Sequence, residues 1–119
     1  MEYAAQAEEN GIEVIICAAG MAAHLAGVIA ANTTLPVIGI PIESTFNGLD
    51  ALLATVQMPP GIPVATVGLN NGTNAGILAA EMLSLKYDYL KPMLKAARRT
   101  MAEGVMKKDA AIKEKAAAL

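Results

Sequence analysis

An open α/β sandwich built on a parallel sheet is the fold class this 119-residue sequence predicts. Three observations predict it. Short, continuous runs of β-branched residues recur along the chain, the pattern of strands buried on both faces. Ala-rich segments of helical length separate them, and strands alternating with helices imply parallel βαβ units. With 55% of residues hydrophobic and 17% charged, the chain is too apolar for disorder and sized for one small domain.

Each element follows in order. Glu2–Asn10 is Ala/Glu-rich and ends at Gly11, a helix with its stop signal. Ile12–Cys17 is the first buried strand, Ala18-Ala19-Gly20 a turn, and Met21–Asn32 a helix closed by Thr33-Thr34. Leu35–Ile40 is the second strand, and Glu43–Gly48 a polar loop holding the single Phe. Leu49–Gln57 is a helix halted by Pro59-Pro60-Gly61, and Ile62–Leu69 the third strand. Asn70–Thr73 turns into a helix over Asn74–Leu85, and helix continues from Tyr87 with a break expected near Gly104. A doubly wound sheet normally starts with a strand and has about five; this chain starts with a helix and offers three.

The net charge of −2 hides two regions. Residues 1–85 carry seven acids and no Lys or Arg; residues 86–119 carry all nine basic residues against four acids. A body (1–85) and a basic helical extension (86–119) that packs on the body or on a neighbouring subunit are expected. In the extension Lys91, Lys95, Arg98 and Arg99 share one helical face and Leu90, Met93, Leu94, Ala97 and Met101 the other. Without interleaved aromatic or Gly-rich segments, this is a solvated face and not a nucleic-acid surface. Val14–Ala31 is apolar except for His24, long enough to span a membrane. Missing Lys or Arg flanks, Gly20, and the nearby Pro36 and Pro41 argue for a buried sheet instead. One Cys and one His exclude a disulfide framework and an intrachain zinc cluster, and a reducing, cytoplasmic compartment is the default.

In such sheets ligands bind beyond the carboxyl ends of the strands. That selects Ala18–His24, Pro41–Gly48 and Asn70–Asn74. Gly20 lets backbone approach a ligand, and free N–H groups after it suit a carboxylate or phosphate. His24, in the first turn of its helix, reads equally as a proton-transfer group or as a half-buried His bonded to a backbone carbonyl. Cys17 reads as core, Asp50 as a charge near a helix start, and Asn70 and Asn71 as turn residues.

Six blocks then resemble a known family. They are Ala19-Gly20-Met21-Ala22-Ala23-His24-Leu25-Ala26-Gly27, Thr34-Leu35-Pro36-Val37-Ile38-Gly39-Ile40-Pro41, Gly48-Leu49-Asp50-Ala51-Leu52-Leu53, Val56-Gln57-Met58-Pro59, Gly61-Ile62-Pro63-Val64-Ala65-Thr66 and Asn74-Ala75-Gly76-Ile77-Leu78-Ala79-Ala80. In this order, over Glu2 to Leu85, they resemble PurE, the 5-(carboxyamino)imidazole ribonucleotide mutases of purine biosynthesis. The resemblance implies a flavodoxin-like, three-layer α/β sandwich assembled as a homo-octamer, with no metal or organic cofactor. It implies transfer of a carboxylate from the exocyclic nitrogen to ring carbon 4 of an aminoimidazole ribonucleotide, by decarboxylation and recarboxylation. His24 is then a catalytic candidate; Ala19, Gly20 and Leu25 complete the wall around the carboxylate, and Met58 and Pro59 approach an adjacent subunit's pocket. The family's Gly-Ser-x-Ser-Asp phosphate loop and its Ser-Ala-His-Arg-Thr loop have no counterpart among these residues, so the first β-α-β portion of the fold is expected to be lacking. A carboxylase using carbon dioxide directly and a non-catalytic assembly module of the same fold are the alternatives.

Overall fold

The computed structural model describes residues 1–119. Three strands, β1 (Ile15–Gly20), β2 (Val37–Ile42) and β3 (Ala65–Thr66), form a parallel sheet in the order β1-β2-β3. Five helices surround it: α1 (Glu2–Gln6), α2 (Leu25–Ala30), α3 (Leu49–Val56), α4 (Gly72–Leu83) and α5 (Leu90–Ala117). A short 3-10 turn, Phe46–Gly48, leads into α3.

Alternation along the strands divides the core into two layers. Ile15, Cys17 and Val37 face Ala7 and Ala26, with Ile29 and Val64 packed around them. Ile38 and Ile40 face Ala75 of α4, with Leu78 and Met82 beside it. Helices therefore cover both faces of the sheet, an α/β sandwich of three layers. The central strand β2 is buried along most of its length, as its composition requires. Pro41 sits inside it without cost to the ladder: Gly39 and Pro41 direct their polar groups toward β3, which ends at Thr66, and the Pro41 carbonyl still accepts from Asn70 N–H at 2.9 Å.

The first helix ends at Gln6 and not Asn10, β2 runs Val37–Ile42 and not Leu35–Ile40, and α4 runs Gly72–Leu83 and not Asn74–Leu85; four further differences have a backbone reason. The first strand runs Ile15–Gly20, not Ile12–Cys17, because Ala18, Ala19 and Gly20 pair with Ile40, Pro41 and Ile42. The expected turn is thus strand. Helix α2 starts at Leu25 and not Met21, because Met21 (φ 51) and His24 (φ 52) are left-handed. His24 is accordingly the residue before the helix and not part of its first turn. The third strand shrinks to two residues because Pro63 precedes it and Pro41 offers no N–H opposite its continuation. Finally, α5 passes unbroken through Gly104 for 28 residues.

Candidate functional site

Three loops leave the carboxyl ends of the strands: Met21–His24 after β1, Glu43–Gly48 after β2 and Val67–Asn71 after β3. All five non-glycine residues at positive φ lie in them: Met21, His24, Phe46, Asn47 and Asn70. Such conformations persist only where the surroundings hold them, and they gather at functional sites. Here the surroundings can be named. Asn70 accepts from Glu43 N–H through Oδ1 at 2.9 Å, clasping the second and third loops together. Asn71 Oδ1 accepts from Asn74 N–H at 3.0 Å and caps α4. Gly48 (φ 80) closes the second loop over Leu69, whose Cδ2 would lie 2.6 Å from an added methyl. Thr45 Oγ1 donates to Asp50 Oδ2, while Asp50 Oδ1 is sealed from solvent without a partner.

At the first loop, Gly20 is the last residue of β1 and pairs with Ile42. A side chain there would meet the Ile42 carbonyl at 3.3 Å and Ser44 Oγ at 3.4 Å, so Gly20 keeps the first two loops close. His24 is half-buried, and its Nδ1 hydrogen-bonds the carbonyl of Ala54 in α3. A carbonyl only accepts, so Nδ1 carries the proton. The imidazole is lodged between α2 and α3, over Gly27. Ala19 is half-buried and Leu25 exposed beside it. The fold therefore gathers Ala19, Gly20, His24 and Leu25 at one end of β1. Met58 and Pro59 follow α3, and no hydrogen bond joins either to that group. Cys17 is buried in the core, and burial pushes its thiol pKa up.

No group of three or more His, Cys, Asp or Glu side chains is placed to hold a metal ion. No helix is long and apolar enough to cross a membrane. Two clefts lie away from the His24 loop. One, of about 560 Å³, runs between β1 and α4 past Ile16, Ala80 and Tyr87; the other, of about 450 Å³, separates α4 from α5. The clasping role of Asn70 was not legible, because its side chain works across 27 residues of sequence. Gly27 left one signal: a glycine inside an otherwise Ala-rich helix.

The family model described as AIR carboxylase matches residues 1–104. The chain belongs to the AIR carboxylase family. The match runs beyond Leu85 into α5, so the extension shares in the family's sequence pattern as well as the body. Among AIR carboxylase relatives, the N5-carboxyaminoimidazole ribonucleotide mutase of Pyrococcus abyssi is 62% identical over 101 residues, covering 84% of this chain and 58% of the relative. The mutase of Thermotoga maritima is 56% identical over 108 residues, covering 90% of this chain and 63% of its own length. The phosphoribosylaminoimidazole carboxylase of Candida glabrata is 57% identical over 94 residues, covering 77% of this chain and 16% of that protein. The chain thus spans about three-fifths of the length of the two mutases.

Proposed function

We propose that this chain supplies one wall of the active site of an N5-carboxyaminoimidazole ribonucleotide mutase. The reaction breaks the bond between the exocyclic nitrogen and the carboxylate, the nitrogen taking up a proton, and forms a bond from that carbon to ring carbon 4, which gives up a proton in balance. The single observation that carries the reading is the 62% identity to a protein named for this activity across 84% of the chain. The clustering of Ala19, Gly20, His24 and Leu25 at the carboxyl end of β1 supports it, since ligands of such sheets bind there. In this reading these residues surround the carboxylate, and His24 serves as its hydrogen-bonding and proton-transfer group. Met58 and Pro59 reach the pocket of an adjacent subunit within a homo-oligomer, an octamer by family resemblance, in the cytoplasm. The ribonucleotide is the only ligand required, with no added cofactor.

A second reading, the assembly module, is favoured by one fact: no Lys or Arg occurs before Lys86, so the loops offer no cation for a phosphate. Assay separates the readings. The chain is mixed with, or fused behind, a segment from a mutase relative that bears the phosphate loop and the Ser-Ala-His-Arg-Thr loop. Conversion of the carboxyamino ribonucleotide without added bicarbonate is expected, and the 119-residue chain alone is expected to give none. Turnover only of the decarboxylated ribonucleotide with bicarbonate would make it a carboxylase. Association without any turnover would leave the module.

A further inference from the structure

Gly27 occupies the third position of the six-residue helix α2, where alanine is the better helix former. It is buried, and a methyl group there would lie 2.2 Å from His24 Nε2, 2.3 Å from Cε1 and 2.8 Å from Cδ2. The three nearest atoms to that methyl group all belong to the His24 ring, so the bare Cα is a seat for the imidazole. The other side of the seat is the Ala54 carbonyl, which can only accept and so fixes the proton on Nδ1. Nε2 has no protein partner and keeps access to solvent, since the sealed, unpaired polar atoms of the chain are Asp50 Oδ1 and Thr66 Oγ1.

We infer that Gly27 is a positioning residue for His24, and that Gly27 and the Ala54 carbonyl together hold the neutral imidazole as its Nδ1–H tautomer. The inference rests on the reading that His24 meets the ligand, and it sharpens what His24 can do there. Neutral, the ring offers only a lone pair at Nε2, so it accepts a proton or a hydrogen bond from an N–H, O–H or acidic C–H of the ligand. It can donate to a carboxylate through Nε2 only as the imidazolium. A ligand carboxylate bound at Nε2 therefore brings a proton with it.

His24 is the only histidine of the chain, so its two ring nitrogens give an unmixed signal in a ¹⁵N-labelled protein. The measurement is a long-range ¹H–¹⁵N spectrum of the full chain above about pH 8, where an ordinary imidazole is neutral. A protonated, pyrrole-type Nδ1 and a pyridine-type Nε2 are expected. In Gly27→Ala the atom displaced is the end of a flexible side chain, so the fold should survive while the ring leaves its seat. The spectrum should then shift to predominantly the Nε2–H form of a solvated imidazole. Gly76→Ala, a helical glycine with open space around it, should change nothing. An Nε2–H wild type would overturn the tautomer assignment. An Nδ1–H signal retained in Gly27→Ala, with a native amide spectrum, would overturn the role of Gly27. Unfolding of Gly27→Ala beside a folded Gly76→Ala would show a structural glycine and also overturn it. An Nδ1–H wild type without turnover in the complemented assay would count against the mutase reading and not against the tautomer.

Discussion

Gly39 lies in the middle of β2, where α2 and α3 close on the sheet. A methyl group there would meet Thr55 Cγ2 at 2.3 Å, and Ala26 Cβ and Val64 Cγ1 at 3.2 Å each. Thr55 is buried and held by its hydroxyl, which donates to the Ala51 carbonyl at 2.8 Å, so it cannot swing clear at no cost. Gly39→Ala should therefore overpack this layer and lower stability by about 1–3 kcal/mol, read as a reduced urea midpoint with an unchanged slope. An unaltered midpoint would mean that the layer yields. Gly27 is the opposite case, because the atoms in the way belong to a side chain that can leave. Sequence alone ranks the two glycines equally. Only the atoms that each would meet, the His24 ring at Gly27 and the Thr55 methyl at Gly39, tell them apart.

At the scale of elements, Arg98 of α5 donates to Glu81 of α4 at 2.6 Å, and a second polar cluster ties the body to the segment that leads into α5. Glu13, just before β1, accepts from Lys86 Nζ at 2.8 Å through Oε2 and from the Tyr87 hydroxyl through Oε1. These bonds, Lys86 first, hold the Glu13 carboxyl below its ordinary 4.5. Glu13 in turn raises Lys86 above 10.5 and Tyr87 above 10.0 by the same hydrogen bonds. The lowered carboxyl contributes fully above pH 4.5, and its share is lost as pH falls through the depressed value. The raised groups contribute fully below pH 10.0, and theirs is lost as pH rises through the elevated values. Amide protection at Leu90, whose N–H donates to the Tyr87 carbonyl at 3.1 Å, should thus be flat between these limits and fall outside them. Glu13→Gln should lower it throughout and abolish the acid limb; unchanged protection in that variant would show that the cluster holds nothing. The same scale shows how far sequence patterning reached. β2 and α4 were legible to within two residues because burial on β2's faces and a regular apolar face on α4 dominate their composition. β1 and α2 were displaced because Ala18–His24 carries no strong propensity; pairing with β2 decides the strand, and two left-handed residues decide the helix start. α5 spans Gly104 because one glycine costs about 1 kcal/mol, too little to break 28 otherwise helical residues.

As a whole molecule, the chain leaves uncovered far more surface than its size requires. A compact monomer of 12.3 kDa exposes about 6,100 Å², whereas this chain exposes 8096 Å². Its radius of gyration is 18.3 Å, against about 13.5 Å expected for a compact domain of this length. Part of the uncovered surface is apolar. Only 16 of 119 residues are buried in a sequence that is 55% hydrophobic. Ile16 is 44% exposed on the edge strand β1, and Phe46 is 81% exposed on the second loop. α5 buries none of its residues, and beyond its contact with α4 it presents Val105 and Ile112, each 66% exposed. The excess, about 2,000 Å², exceeds the roughly 800 Å² that each partner gives up in a standard interface. An excess of this size that carries exposed apolar side chains favours burial against other copies. The purified chain should therefore scatter light at micromolar concentration as a multiple of 12.3 kDa. Replacing Val105 and Ile112 together by Lys should move the population toward smaller species while the circular dichroism of the helices persists. A clean monomer for the unaltered chain would refute self-association. An assembly indifferent to the double substitution would instead place the contact on β1 and the second loop, with α5 left in solvent.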